Sequence, residues 1–352
     1  GAMDVYATEI NDNMKIAAVK AIAKLAKETV VDEVNLAYDD NAISFGKDYI
    51  IPKPLDPRLI TSVAPAVAKS AVRTGVAQIE IEDWKKYEQT LNQRIGNDNK
   101  LLRQLTNRAK RNPKRVVFAE AENYKVLKAV EETCDKGIIS PILLGRVDVI
   151  NSLIEEYAID LDGVEIIDPK DKKQNNKREE FGEYFWKKRK RKGLTRFESN
   201  KLMRERNYFG LMMLELGEAD ALISGITRNY PDTIRPALEV IGRKDGVQKV
   251  LGMYIMNTKK GILFLADTTI NVNPSEDDIV EITSMVAKAV KSLRVTPRIA
   301  LLSYSNFGSS RDIDSLKMSR AAIRLKEMYP NLVVDGEIQA DFALNREKTE
   351  NL

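Results

Sequence analysis

Residues 217–242 read GEADALISGITRNYPDTIRPALEVIG, and the order of residue types in this stretch decides the fold. The apolar run 219–223 follows an acidic turn and has the length and composition of a buried strand in a parallel sheet. Ser224 and Gly225 break it, and Thr227, Arg228 and Asn229 make a polar loop. Cap-like residues at 231–233 then introduce helical spacing over 234–241, which Gly242 ends. In an open parallel sheet, ligands bind beyond the carboxyl ends of the strands, where helix N-termini attract anions. Arg228 and Arg235 flank this turn, so a phosphate or carboxylate is one reading of the loop. An ordinary strand-to-helix connection with surface arginines is the other.

Outward from this stretch the same alternation recurs. Strands are expected at 115–118, 142–144 and 164–167, with helices at 124–136 and 147–157 between them. A long helical stretch over 177–216 is interrupted near Gly193. This is the pattern of a parallel α/β sheet. After residue 242 the pattern changes to a hairpin (250–256 and 262–266), a helix over 276–293, a strand at 299–302, a helix to Met328 and a strand at 332–334. The turn SYSNFGSSRD follows the strand at 299–302 and offers hydroxyls and, through Gly308, a backbone open to close approach. It lacks the Gly-Lys-Ser/Thr ending of a P-loop, and a plain polar turn is the alternative.

The first part of the chain is helical and poor in strands. Asn11 or Asp12 caps a helix to about Lys27, and an acid- and Asn-rich loop follows. Prolines 52 and 54 impose an extended segment. Asp56-Pro57 starts a second helix that Gly75 ends and that Pro65 should bend or divide. Trp84, Tyr87 and Leu91 share a helical face in a polar linker.

Composition narrows the chemistry. The chain has 352 residues, 43% of them apolar and 31% charged, with a net charge of +4. That length points to roughly two or three domains. No apolar run approaches the roughly 18 residues of a membrane span, and no secretory signal pattern opens the chain. Histidine is absent and Cys134 is the single cysteine, which removes imidazole bases, His-ligated metals and disulfides within these residues. The redox pattern suits the cytoplasm. The run KKRKRK at 187–192 reads as a solvated helix face or as a site for a multiply phosphorylated small molecule. Aromatic residues beside it are few, so nucleic acid is not the expectation.

Four blocks together resemble the phosphotransacetylase (phosphate acetyl/butyryltransferase) family: ADALISGITRNYPDTIRPAL, LLSYSNFGSS, ADTTINVNPSEDDIVEIT and RKRKGLTRFESNKLM. The likeness spans residues 97–342. The earlier segments GAMDVYATEINDNMKIAAVKAIA and FGKDYIIPKPLDPRLITSVAPAVAKSAV are similar to the carboxyl-terminal end of bacterial malic enzymes. In this order the two parts resemble the hybrid NADP-dependent malic enzymes, in which a phosphotransacetylase-like domain is fused to the enzyme.

The resemblance implies an α/β fold: a two-lobed, three-layer α/β/α domain preceded by a mostly helical malic enzyme segment. The implied divisions are 1–78 (end of the nucleotide-binding domain), 79–96 (linker helix), 97–242 (lobe 1) and 243–352 (lobe 2). It further implies acetyl-CoA and phosphate as ligands, with Arg189, Thr227, Arg228, Arg235, Ser303, Ser305 and Asn306 lining their site. NADP and a divalent metal (Mg or Mn) would be held upstream. Homodimerisation through the phosphotransacetylase-like domain within a larger homo-oligomer is also implied, without nucleic acid or membrane. Family members place a histidine after the Gly-X-Thr turn, where this chain has Arg228, and the family's terminal catalytic Ser-Arg and Asp would lie beyond Leu352. The implied role for these residues is regulatory binding of acetyl-CoA rather than catalysis, with phosphate acetyltransferase activity as the alternative.

Overall fold

A computed structural model describes the chain except residues 29, 31–33, 35–37, 39–42, 44, 48, 95–99, 259–260, 346 and 349–352. The acid-rich loop after the first helix and the tip of the hairpin turn therefore lie largely outside the described residues. The chain divides into two compact units, Gly1–Gly242 and Arg243–Leu352.

In the first unit, strands β1 (Lys114–Phe118), β2 (Ile139–Leu144), β3 (Glu165–Ile167) and β4 (Ala221–Ile223) form a sheet in the order β3-β2-β1-β4. All three pairings are parallel, with Val116 opposite Ala221 and Val117 opposite Ile142. Successive side chains point to opposite faces, so each strand feeds two cores. Val117, Ile142 and Leu144 pack with Phe181, Phe185, Phe209 and Met212 on one side. Val116, Phe118 and Leu143 pack with Leu127, Val130 and Ile150 on the other. Helices on both faces complete the three layers.

The helical stretch after β3 resolves into Asn175–Arg189, Arg196–Leu202 and Arg206–Glu215. Thr195 and Glu198 form a capping box at the second, and Glu205 caps the third by accepting from the Asn207 and Tyr208 amides. Gly182 is required by close approach: a Cβ there would lie 1.8 Å from Asn200 Oδ1. Ser199 Oγ donates to the Gly182 carbonyl at 2.6 Å, so the first two helices meet backbone to side chain.

One expectation is corrected and one narrowed. The helix after β4 runs Tyr230–Val240, with Pro231 in its first turn and Asn229 at its N-cap position. Asp232 and Thr233 are thus inside the helix and do not cap it, and Arg235 sits in the second turn. The helix begins early because Pro231 has its φ preset for a first turn and loses no needed hydrogen bond there. Pro65 likewise does not divide its helix, which runs unbroken as Arg58–Arg73. Its buried face, with Ala68 and Ala71, packs against Val5 and Met14, and that burial outweighs the lost hydrogen bond.

In the second unit, β5 (Met253–Thr258) and β6 (Gly261–Ala266) form the expected hairpin, and β7 (Arg298–Leu302) pairs in parallel with β8 (Val333–Ile338). Helices Glu276–Ser292 and Ile313–Met328 cover β7 and β8 through Ile279, Val280, Ala321, Ala322 and Leu325. Among the described residues, no helix is long and apolar enough to cross a membrane.

Candidate functional site

β1 and β4 are neighbours, so the residues that follow each emerge side by side at the carboxyl edge of the sheet. Glu120, just past β1, is only 3% exposed and turns its carboxylate into the loop after β4. Its Oε1 accepts from Ser224 Oγ (2.8 Å) and the Gly225 amide (2.5 Å). Its Oε2 accepts from the Thr227 amide (2.6 Å) and Thr227 Oγ1 (2.5 Å). Gly225, at φ 120, supplies the backbone conformation this convergence needs. Burial pushes the carboxyl upward, but the bonds from Thr227, Gly225 and Ser224 outweigh it and hold it down at about 2. Glu120 is therefore an anchor for the loop and a poor proton acceptor at neutral pH.

Arg228, next in the loop, pairs with Glu205 at 2.5 Å. It lines a cavity of about 550 Å³ formed where β1, β2 and β3 end. Glu122, Gly145, Arg146, Lys170 and Arg206 share that wall. Glu122 accepts from the Arg146 amide (2.9 Å) and pairs with the side chains of Arg146 (3.3 Å) and Arg206 (3.5 Å). Burial raises the Glu122 carboxyl, and Arg146 and Arg206 more than reverse that, so it stays ionised.

Arg189 and Arg235 belong to a neighbouring cluster built on Glu239. Arg189 Nη2 lies 3.5 Å from Glu239 Oε1, and Tyr208 donates to Glu239 Oε2 at 2.6 Å. Burial and the Glu239 bond raise the Tyr208 hydroxyl, and Arg235 pulls it the other way, which locates Arg235 in the same field. The Arg235 side chain is exposed, four residues before Glu239 on one helical face. Thr227 and Arg228 thus gather with Glu120 and Glu205, and Arg189 and Arg235 with Glu239.

The second unit carries the remaining expected residues in one turn. Ser305 is 1% exposed, and its hydroxyl donates to Glu337 Oε1 (3.1 Å), contacts Ser309 Oγ (3.0 Å) and accepts from the Ser310 amide (2.9 Å). The Gly308 amide also donates to Glu337 Oε1, at 2.7 Å. Asn306 Oδ1 accepts from the Gln339 amide (2.8 Å), and Ser303 Oγ from the Ser305 amide (3.3 Å). Ser305 shapes the turn from inside, and Ser303 and Asn306 are half-buried at its edge.

The basic run 187–192 is largely engaged. Lys187 pairs with Glu183 (3.6 Å), and Lys188 bridges Glu215 (2.5 Å) and the Val240 carbonyl (2.6 Å). Lys190 and Arg196 lie over the Trp186 ring at 5.1 and 4.2 Å. Sequence reasoning missed Glu120, Glu205, Glu239 and Glu337, the acids that position the expected arginines and loops. Among the described residues no group of three or more acidic or cysteine side chains could hold a metal ion.

Residues 100–352 match the family model described as phosphate acetyl/butaryl transferase. The chain belongs to that family. Among curated proteins, it is 40% identical to the NADP-dependent malic enzyme of Escherichia coli over 98% of its length, covering 46% of that protein. It is 38% identical to the Haemophilus influenzae NADP-dependent malic enzyme over 100% of its length, covering 47% of it. The phosphate acetyltransferase of Helicobacter pylori is 34% identical over 69% of this chain and 46% of that protein. The chain therefore spans about half the length of the curated relatives it matches. Among solved structures, the EutD phosphotransacetylase from Staphylococcus aureus aligns with a TM-score of 0.62 and 29% identity, covering 71% of this chain and 76% of that one. A phosphotransacetylase from Streptococcus pyogenes aligns at 0.63 and 30% identity, covering 71% and 75%. This family domain supplies the layered α/β fold, and the helical region before residue 100 is shared with the malic enzymes.

Proposed function

We propose that this chain is the phosphotransacetylase-like part of a longer, cytoplasmic NADP-dependent malic enzyme and that it binds acetyl-CoA as a regulatory ligand. The longer protein would oxidatively decarboxylate malate to pyruvate, holding NADP and a Mg or Mn ion outside these residues, as a homo-oligomer that includes a dimer of this domain. The observation that carries the reading is the extent of the likeness. Malic enzymes match essentially the whole chain, whereas a phosphate acetyltransferase matches 69% of it. Regulation is favoured over catalysis by the chemistry of the loop. Acetyl transfer from coenzyme A to phosphate needs cations for the anions and a base for the thiol. Arg189, Arg228 and Arg235 supply the cations. The carboxylate that anchors the loop, Glu120, is held ionised at about 2 by four donors, so it takes no proton at neutral pH.

Family membership supports the second reading, an active phosphate acetyltransferase that makes acetyl phosphate. The full-length protein distinguishes the two. The expected result is acetyl-CoA binding by calorimetry with no acetyl phosphate formed. Turnover would establish the second reading, and absence of binding would remove both. Arg235→Ala should weaken acetyl-CoA about ten- to a hundredfold, the worth of one charge-assisted partner. Its melting temperature should hold, because the side chain is exposed. Unchanged affinity would exclude Arg235 from the site.

A further inference from the structure

The cavity at the ends of β1, β2 and β3 holds more positive charge than the surrounding acids neutralise. Its wall carries six cationic side chains, Arg146, Lys170, Lys201, Arg204, Arg206 and Arg228, against three acidic ones, Glu122, Asp168 and Glu205. Arg146 and Arg206 share Glu122, and Arg228 takes Glu205. The side chains of Lys170, Lys201 and Arg204 have no carboxylate partner among the described residues. The Arg206 nitrogen that faces Glu122, Nη1, is buried and lies 3.5 Å from that carboxylate without forming a hydrogen bond. Like charges gathered on a concave wall repel each other and focus a positive potential, and a bound polyanion relieves both effects. The position fits as well, since it lies beyond the carboxyl ends of parallel strands.

A second cavity, of about 440 Å³, adjoins the first and shares Lys201 and Arg204 with it. It adds Phe197, whose ring is 77% exposed. Phe197 and Lys201 stand four residues apart, on one face of the Arg196–Leu202 helix. A flat apolar surface thus stands beside the unpaired cations, the pairing of features that a base and its phosphates require.

We infer that the two cavities form one site for a nucleoside polyphosphate, with the phosphates among Lys170, Lys201, Arg204 and Arg206 and the base on Phe197. Coenzyme A ends in a phosphorylated adenosine diphosphate, so the nucleotide is either the coenzyme's own end or a free one. Only in the first case does the inference rest on the proposed binding of acetyl-CoA.

The test is calorimetry on the full-length protein with ATP, pyrophosphate and acetyl-CoA, using Lys201→Ala/Arg204→Ala, Phe197→Ala and Arg235→Ala. ATP and pyrophosphate should bind the unaltered protein, and the double variant should weaken both at least tenfold with an unchanged melting curve. Phe197→Ala should weaken ATP at least threefold and leave pyrophosphate alone. If the double variant and Arg235→Ala both weaken acetyl-CoA, the coenzyme supplies the nucleotide. If the double variant weakens ATP and leaves acetyl-CoA unchanged, the site takes a free one. No heat from ATP and pyrophosphate, or binding to the double variant as to the unaltered protein, overturns the inference. Loss of acetyl-CoA in Arg235→Ala alone would then leave the regulatory reading standing.

Discussion

In the Gly1–Gly242 unit the loop after β4 folds onto Glu120 from the end of β1, and in the Arg243–Leu352 unit the turn after β7 folds onto Glu337 from β8. In each case a carboxylate on, or just past, one parallel strand reaches the amides of the loop that leaves its neighbour. Register makes this natural, because adjacent parallel strands end at the same level and loop amides there lack ladder partners. The two carboxylates differ in completion. Glu120 has both oxygens occupied, each by two donors. Glu337 is 1% exposed and receives Ser305 and Gly308 on Oε1, but its Oε2 is buried without a hydrogen-bond partner. The first arrangement is stabilising as it stands. The second carries a desolvated oxygen, which costs about 1–3 kcal/mol.

The sharpest way to break the comparison is Glu120→Ala. Four donors lose their acceptor in a buried place, and the expected loss is about 3 kcal/mol, read by urea unfolding at pH 7. The pH profile follows from the same carboxyl. Its value falls from 4.5 to about 2 on folding, so its contribution is whole above about pH 4.5 and fades as pH drops toward 2. The unaltered protein should lose stability across that window more steeply than the Ala variant. Parallel profiles would mean that Glu120 does not anchor the loop.

Amide substitution tests the difference in completion. Glu120→Gln turns a donor NH₂ toward donors and should cost about 2 kcal/mol. Glu337→Gln keeps Oε1 and alters mainly the unpaired position, so its cost should stay below about 1 kcal/mol. Equal losses in the two chemical denaturation curves would erase the distinction. The smallest expected effect is that of Ser305→Ala, about 0.5 kcal/mol, since the Gly308 amide still holds Glu337. A loss several times larger would make Ser305 the anchor of the turn in place of Glu337.

The layered fold was legible in the sequence because strand composition and helical spacing are local. The runs at 115–118, 142–144 and 219–223 each declare a strand without reference to the rest of the chain. The acids that organise the site are not local in that sense. Glu120 and Glu122 stand two residues apart in FAEAEN, and nothing in their neighbourhood separates the loop anchor from the ion-pair partner of Arg146 and Arg206. That distinction arises only when β4 is laid beside β1. The start of the Tyr230–Val240 helix was missed for a different reason: Asp232 and Thr233 are good caps, but Pro231 is an equally good first-turn residue. Arg235 moved a turn deeper into the helix as a result.

The contact at Gly182 bears on how a ligand would be received. Because Ser199 is bonded to the Gly182 carbonyl and Asn200 fills the space a side chain would take, the Arg196–Leu202 helix is fastened to the one before it. Lys201 and Arg204 therefore stand on a wall already in place before any anion arrives. Recruitment then costs only the rotamers of the side chains themselves, about 0.5–1.5 kcal/mol for each one immobilised, and no loop has to be ordered. A site of this kind answers quickly to small changes in ligand concentration, and a bulkier residue at 182 would forfeit that readiness before it forfeited the fold.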